Sequence, residues 1–261
     1  IKQKHGIPVG LGLAPELDSN MALRSIMTTF GASVQDRAGN PVLKSRETLE
    51  ALKFVKALYR ETMTDEVFTW DASSNNRLML AGKGSLTLNA ISITRTGENQ
   101  NIPVSQDIFL AQALQGPVCR FGLEHLMSIY TIWKFAENIE GAQRFLVDYV
   151  GHFHQAFKAS QFYNFPCFPQ TVPDLHTLVA DDPRATPRDK YKILQDVSTW
   201  TINLGYPGYA NAAIDEIFNS WMLSTMFAQA ASGKMTPAAA LDQADQVVKG
   251  IFQKWRDRGR V

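Results

Sequence analysis

The chain has 261 residues, 45% of them hydrophobic, and its 26 basic and 25 acidic side chains leave a formal net charge of +1. That length suffices for one large or two medium domains, and the near-neutral balance, with no basic block or stripe, argues against nucleic-acid capture. No stretch approaches the roughly twenty consecutive apolar residues needed to span a bilayer, and the first residues show no apolar leader, as expected if they are internal to a longer precursor.

In chain order, Ile7-Pro8-Val9-Gly10-Leu11-Gly12-Leu13 reads as a short buried strand. It is followed by a loop, Ala14 to Asn20, and a helical stretch from Met21 to Phe30. Val34 and Val42 flank Asp36-Arg37-Ala38-Gly39-Asn40, whose glycine and asparagine suit a hairpin turn. Ser45 is placed to cap an amphipathic helix in which Leu49, Leu52, Val55, Leu58 and Tyr59 recur at helical spacing. A short helix over Asn75 to Ala81 stops at Gly82-Lys83-Gly84. Ser85 to Asn89 alternates like a strand, and Ile108 to Leu114 is a further strand candidate.

Ser128 to Ile132 reads as another strand, and Asn138 caps a helix carrying Ala142, Phe145, Leu146 and Tyr149. Phe162 to Pro173, rich in aromatics and prolines, cannot be regular helix. The last third is helical. Ile214, Ile217, Phe218 and Trp221 form an apolar stripe, Gly233 ends a helix, and Thr236-Pro237 opens the last one. Strands alternating with helices imply an α/β architecture.

The sequence contains no HExxH, CxxC, phosphate-binding loop or GxSxG motif. His152-Phe153-His154 reads as two solvated histidines at a helix end, since residues two apart do not share a helix face and no third ligand is close in sequence. Glu124-His125 could form an acid/base pair, but such neighbours are common in any soluble chain. Two cysteines are too few for a disulfide framework, and the spacing of Cys119 and Cys167 leaves one bridge or two thiols open; two free thiols are expected.

Polar and aromatic residues cluster instead in loops: Asp18-Ser19-Asn20 and Asn89-Ala90-Ile91-Ser92 follow strands, and Tyr163-Asn164-Phe165-Pro166 and Gly205 to Tyr209 lie in irregular segments. Loops at the carboxyl ends of strands are where open α/β sheets bind ligands. Aromatic faces beside amides and carboxylates suit a sugar, which offers C–H faces and many hydroxyls. Ordinary turn chemistry and packed aromatics would produce the same residues.

Four segments, in order, resemble family 1 extracellular solute-binding proteins of bacterial ABC importers. They are Phe30 to Val34 with the Asp36–Asn40 turn, the helix Thr48 to Phe54, Trp70-Asp71 through Leu80 to Asn89, and Gly233 to Leu241. Where the family often has Gly-Pro-Trp after the asparagine, this chain has Ala90, Ile91 and Ser92. Members of the family are longer, and the front portion is what the chain lacks.

The resemblance implies a two-lobed periplasmic-binding-protein-like fold of type II with the first lobe incomplete. Residues 1–114 would be the first part of lobe two, 115–168 the returning part of lobe one, and 169–261 the C-terminal helical part of lobe two. It further implies a protein that does no chemistry and needs no cofactor or metal. It would act as a monomer in the periplasm or outside the cell, with a lipidated N-terminus as one form of anchoring. Its partners would be a small polar ligand, a sugar or polyol, and the ABC permease subunits. Asp18, Asn20, Asn89, Ser92, Tyr163, Tyr206 and Tyr209 are the residues expected to face the ligand. An α/β hydrolase or transferase acting on a carbohydrate-like substrate is the enzyme alternative, and an adhesion or regulatory module on the same fold is a third reading.

Overall fold

The structure, a computed structural model, describes residues 1–122 and 126–261. Glu124 and His125 therefore lie outside the described residues. The first helices are α1 (Lys2–His5), α2 (Leu17–Thr29), α3 (Arg46–Thr62), α4 (Ser74–Leu80) and α5 (Ser92–Asn99). There follow α6 (Ile139–Gly151), α7 (Phe153–Ala159), α8 (Leu175–Ala180), α9 (Ala212–Asn219), α10 (Met222–Ser232) and α11 (Pro237–Asp257).

The helix starts follow the capping chemistry of the sequence. The Ser45 hydroxyl accepts from the Thr48 N–H at the head of α3. The Asn138 side chain does the same for Gly141 in α6, and Thr236 for Ala239 in α11. α2 departs from expectation by starting at Leu17 rather than Met21. The Glu16 carboxylate accepts from the N–H groups of Asp18 and Ser19, so a stretch that looks like a turn becomes the first turn of a helix.

Regular sheet is sparse. Val9 pairs with Leu86 in parallel, and Gln35 with Pro41 antiparallel. The first pairing is extended by Gly10 N–H donating to Leu86 O and Ser85 N–H to Pro8 O. The second is the expected hairpin, closed by Asp36 N–H to Asn40 O and Val42 N–H to Val34 O, with Gly39 at a φ of 79°. The strands expected over 108–114 and 128–132 do not form. A strand exists only if a neighbour takes up its N–H and C=O groups, and among the described residues these segments have none to pair with.

The chain divides into two compact units. The first comprises Ile1–Ile93, Gln112–His125 and Ser198–Val261, and the second Thr94–Ala111 and Leu126–Val197. The segment expected as 115–168 is thus shared between units at different boundaries. The first unit has one contiguous core, in which Leu23, Ile26 and Met27 of α2 meet Leu52 and Val55 of α3, Phe227 of α10, and Val248 and Phe252 of α11. Full burial of each such side chain is worth about 1.5–3 kcal/mol. The second unit buries Phe157, Phe162, Val172, Val179, Tyr191 and Leu194. It leaves Met127, Ile129, Trp133, Phe135, Phe145 and Val147 exposed, Ile129 by 81%. Among the described residues no helix is long and apolar enough to cross a membrane.

Candidate functional site

The parallel pair Val9 and Leu86 runs, on both strands, into polar chain: one continues to the head of α2, the other to Asn89. The structure joins these two ends. The Asn75 amide donates to the Asp18 carboxylate at 3.0 Å. Next to it, Asn76 donates to the Ser92 hydroxyl at 3.3 Å and accepts from the Asn89 amide at 2.6 Å. Asp18, Asn89 and Ser92 thereby share one hydrogen-bonded network, with Asn75 and Asn76 at its centre. Sequence reasoning missed those two residues, having read them only as the start of a short helix. Their signal was an Asn-Asn pair in the first turn of that helix, since asparagine favours turns and caps over helix interiors.

The head of α2 carries the network's charge. Burial raises the Asp18 carboxyl above its ordinary range, with the Asn75 hydrogen bond acting in the opposite direction. Burial likewise raises Glu16, against hydrogen bonds from Ser19 and Asp18. Glycine at position 12 leaves room for both groups, because a Cβ there would push against the Ser19 hydroxyl and crowd Glu16. Asn20 takes a different place from the one expected. It is 0% exposed, and its amide donates to the Phe218 carbonyl at 3.0 Å. Three residues into a helix, its side chain turns inward and ties α2 to the end of α9.

Tyr206 and Tyr209 belong to a second framework in the same unit. Gln35, fully buried, donates from its amide nitrogen to the carbonyls of Gly205 and Tyr209, each at 2.7 Å, and accepts from Asn211 at 2.9 Å. Gly205 is forced by close approach, since a Cβ would strike the Tyr209 backbone. The Tyr206 ring meets Phe121 edge-on with centroids 5.1 Å apart, and Tyr209 is 88% exposed. A cavity of about 290 Å³ lies in this unit, lined by Phe30, Phe54, Leu88, Leu114, Phe121 and other residues. Leu88 is the chain neighbour of Asn89, and Phe121 is the partner of Tyr206, so network and tyrosine loop both adjoin this apolar floor. Tyr163 is an exposed residue of the second unit, outside this network.

Other sequence candidates have ordinary surroundings. His152 caps the end of α6 beside Asp148, and His154 pairs with Asp174 at 2.8 Å. Cys119 and Cys167 are free thiols, as expected. Burial raises the Cys119 thiol above its ordinary value, which disfavours the reactive thiolate. Among the described residues no group of three His, Cys, Asp or Glu side chains is placed to hold a metal ion.

The chain has part of the α/β, two-lobed type II fold of periplasmic binding proteins, as its likeness to solved structures shows. Among solved structures, the chain is similar to a sugar transporter from Arthrobacter chlorophenolicus A6 with bound laminaribiose, with a TM-score of 0.75 and 16% identity over 95% of this chain and 62% of that one. It is also similar to maltose-bound MalE3 of T. maritima, with a TM-score of 0.68 and 16% identity over 96% of this chain and 62% of that one. An ABC transporter solute-binding protein of Agrobacterium radiobacter K84 in complex with ribitol gives a TM-score of 0.64 and 17% identity, over 94% of this chain and 59% of that one. The chain therefore spans about three fifths of these proteins' length. No protein-family model and no curated protein sequence matches it.

Proposed function

We propose that the chain is the ligand-binding part of the substrate-binding component of an ABC importer, which captures a sugar or polyol outside the cytoplasmic membrane and delivers it to a permease without transforming it. The observation that carries this is the Asp18–Asn75–Asn76–Asn89–Ser92 network at the carboxyl ends of the parallel pair, beside an apolar cavity. Carboxylate, amides and a hydroxyl fixed by one another are pre-organised to meet hydroxyls. The exposed rings of Tyr206 and Tyr209 offer faces for sugar C–H groups. Solved proteins of this fold hold laminaribiose, maltose and ribitol, so neutral polyhydroxyl compounds are the ligand class.

On this reading the first unit supplies lobe two and the second contributes to lobe one. The permease contact, the monomeric state and a periplasmic or lipid-anchored location belong to the same proposal. Calorimetry of the full-length protein against mono- and disaccharides and sugar alcohols tests it. Saturable one-to-one binding to a member of that panel, with no product formed, is the expected result. Turnover of any panel compound would overturn it.

A further inference from the structure

The hydroxyl-binding network of the first unit stands beside a cavity that offers a hydroxyl little. Four places in the chain supply its walls. Phe30 at the end of α2 and Phe54 of α3 set their ring centroids 5.5 Å apart, and Leu88, Leu114 and Phe121 extend the apolar lining. The segment bearing Leu114 and Phe121 is fastened to the end of α2. The N–H groups of Val118 and Cys119 both donate to the Thr29 carbonyl, at 3.1 and 3.4 Å, and the Cys119 thiol donates to the Thr28 carbonyl at 3.3 Å. Gly116 rests so close to Thr29 that a Cβ would overlap its carbonyl oxygen. The space of about 290 Å³ is therefore preformed.

The two hydroxyls that line this space are already engaged. That of Ser25 donates to the carbonyls of Phe121 and Gly122, at 3.0 and 2.8 Å, and that of Thr29 to the Ile26 carbonyl at 2.7 Å. A sugar hydroxyl placed here would give up water and meet carbon. An apolar group fits instead. Phe54 and Leu114 are 39% and 41% exposed, so solvent reaches the walls, and a ring that enters frees the water on them. A dry apolar cavity of about 150 Å³ is enough for a benzene ring, and this one is larger. Its position joins it to the proposed sugar site. Leu88 runs directly into Asn89 of the network, and Phe121 carries the Tyr206 ring edge-on at 5.1 Å.

We propose that the ligand is a glycoside with an apolar aglycone, an aryl or alkyl group that fills this cavity while the sugar hydroxyls meet the Asp18–Asn89 network. The proposal rests on the polyhydroxyl reading and narrows its ligand class. Calorimetry of the full-length protein with two matched pairs, phenyl and methyl β-D-glucopyranoside and phenyl and methyl β-D-galactopyranoside, tests it. In at least one pair the phenyl member should bind about tenfold to a hundredfold tighter, the worth of burying one aromatic side group. Leu114→Asp sets a charge on the part-exposed wall of the cavity, and the ratio of phenyl to methyl affinity should fall towards one. Equal affinities within every pair that binds, or the wild-type ratio in Leu114→Asp, overturn the proposal and leave the polyhydroxyl reading standing. If that variant does not fold, the comparison in the wild type decides alone. Binding of none of the four glycosides also overturns it, and the polyhydroxyl reading falls with it only if the free sugars and sugar alcohols fail to bind as well.

Discussion

On the proposed reading, folding and binding pull Asp18 in opposite directions. Burial raises its carboxyl, so the folded state holds this proton more readily than the unfolded chain does. Stability contributed at this position is therefore lost as pH rises from the ordinary carboxylate range through the raised value. Asp18→Asn removes the buried charge and keeps an oxygen for the Asn75 amide. At neutral pH its melting temperature should equal or exceed that of the wild type, with the difference vanishing in acid, as thermal melts across pH would record. Binding should move the other way. Loss of a carboxylate paired with a ligand hydroxyl costs on the order of 1–3 kcal/mol, so Asp18→Ala should weaken the sugar or polyol ligand about tenfold to a hundredfold in calorimetry. Unchanged affinity in both Asp18→Ala and Tyr209→Ala would place the ligand elsewhere. Asp18, Asn89 and Ser92 were legible as candidates because turn-like polar residues after apolar runs stand out. Asn20 stood out for the same reason, but its inward direction was not legible, because it depends on α2 beginning at Leu17, set by the Glu16 carboxylate.

Elements held by local chemistry were legible, and those held by distant partners were not. Ser45, Asn138 and Thr236 each cap the helix that sequence assigned to them, since a cap needs only residues within one turn. The Asp36–Asn40 hairpin is equally local. The apolar runs at 108–114 and 128–132 carry the right residues for strands, yet a ladder requires a neighbour that no local pattern supplies. Thr236→Ala should cost about 1 kcal/mol in urea unfolding, the usual worth of such a cap. Gly12→Ala should cost about 1–3 kcal/mol, because its methyl group must displace Ser19 and Glu16 at the head of α2.

At the scale of the whole molecule, burial is uneven between the two units. The first unit has a continuous core across α2, α3, α10 and α11, whereas the second has a smaller core and a run of exposed apolar side chains over 127–147. Hydrogen exchange should show the slowest amides in α3, α10 and α11, and fast exchange over 127–138. Uniform protection across both units would contradict that picture. Heat should unfold the chain in more than one step, with calorimetric and van't Hoff enthalpies that disagree.

The division into interleaved units also sets an order in time during synthesis. Leu52 and Val55 of α3 are made early, but Phe227 of α10, which shares their core, lies roughly 170 residues later. At elongation rates of about 5–20 residues per second, that interval is roughly 10–30 s. For most of it the apolar face of α3 waits for a covering helix that is not yet translated, and the second unit, complete at Val197, is finished shortly before Phe227. The nascent chain thus carries an uncovered apolar helix face for on the order of 10 s or more, surface of the kind that a holding chaperone recognises.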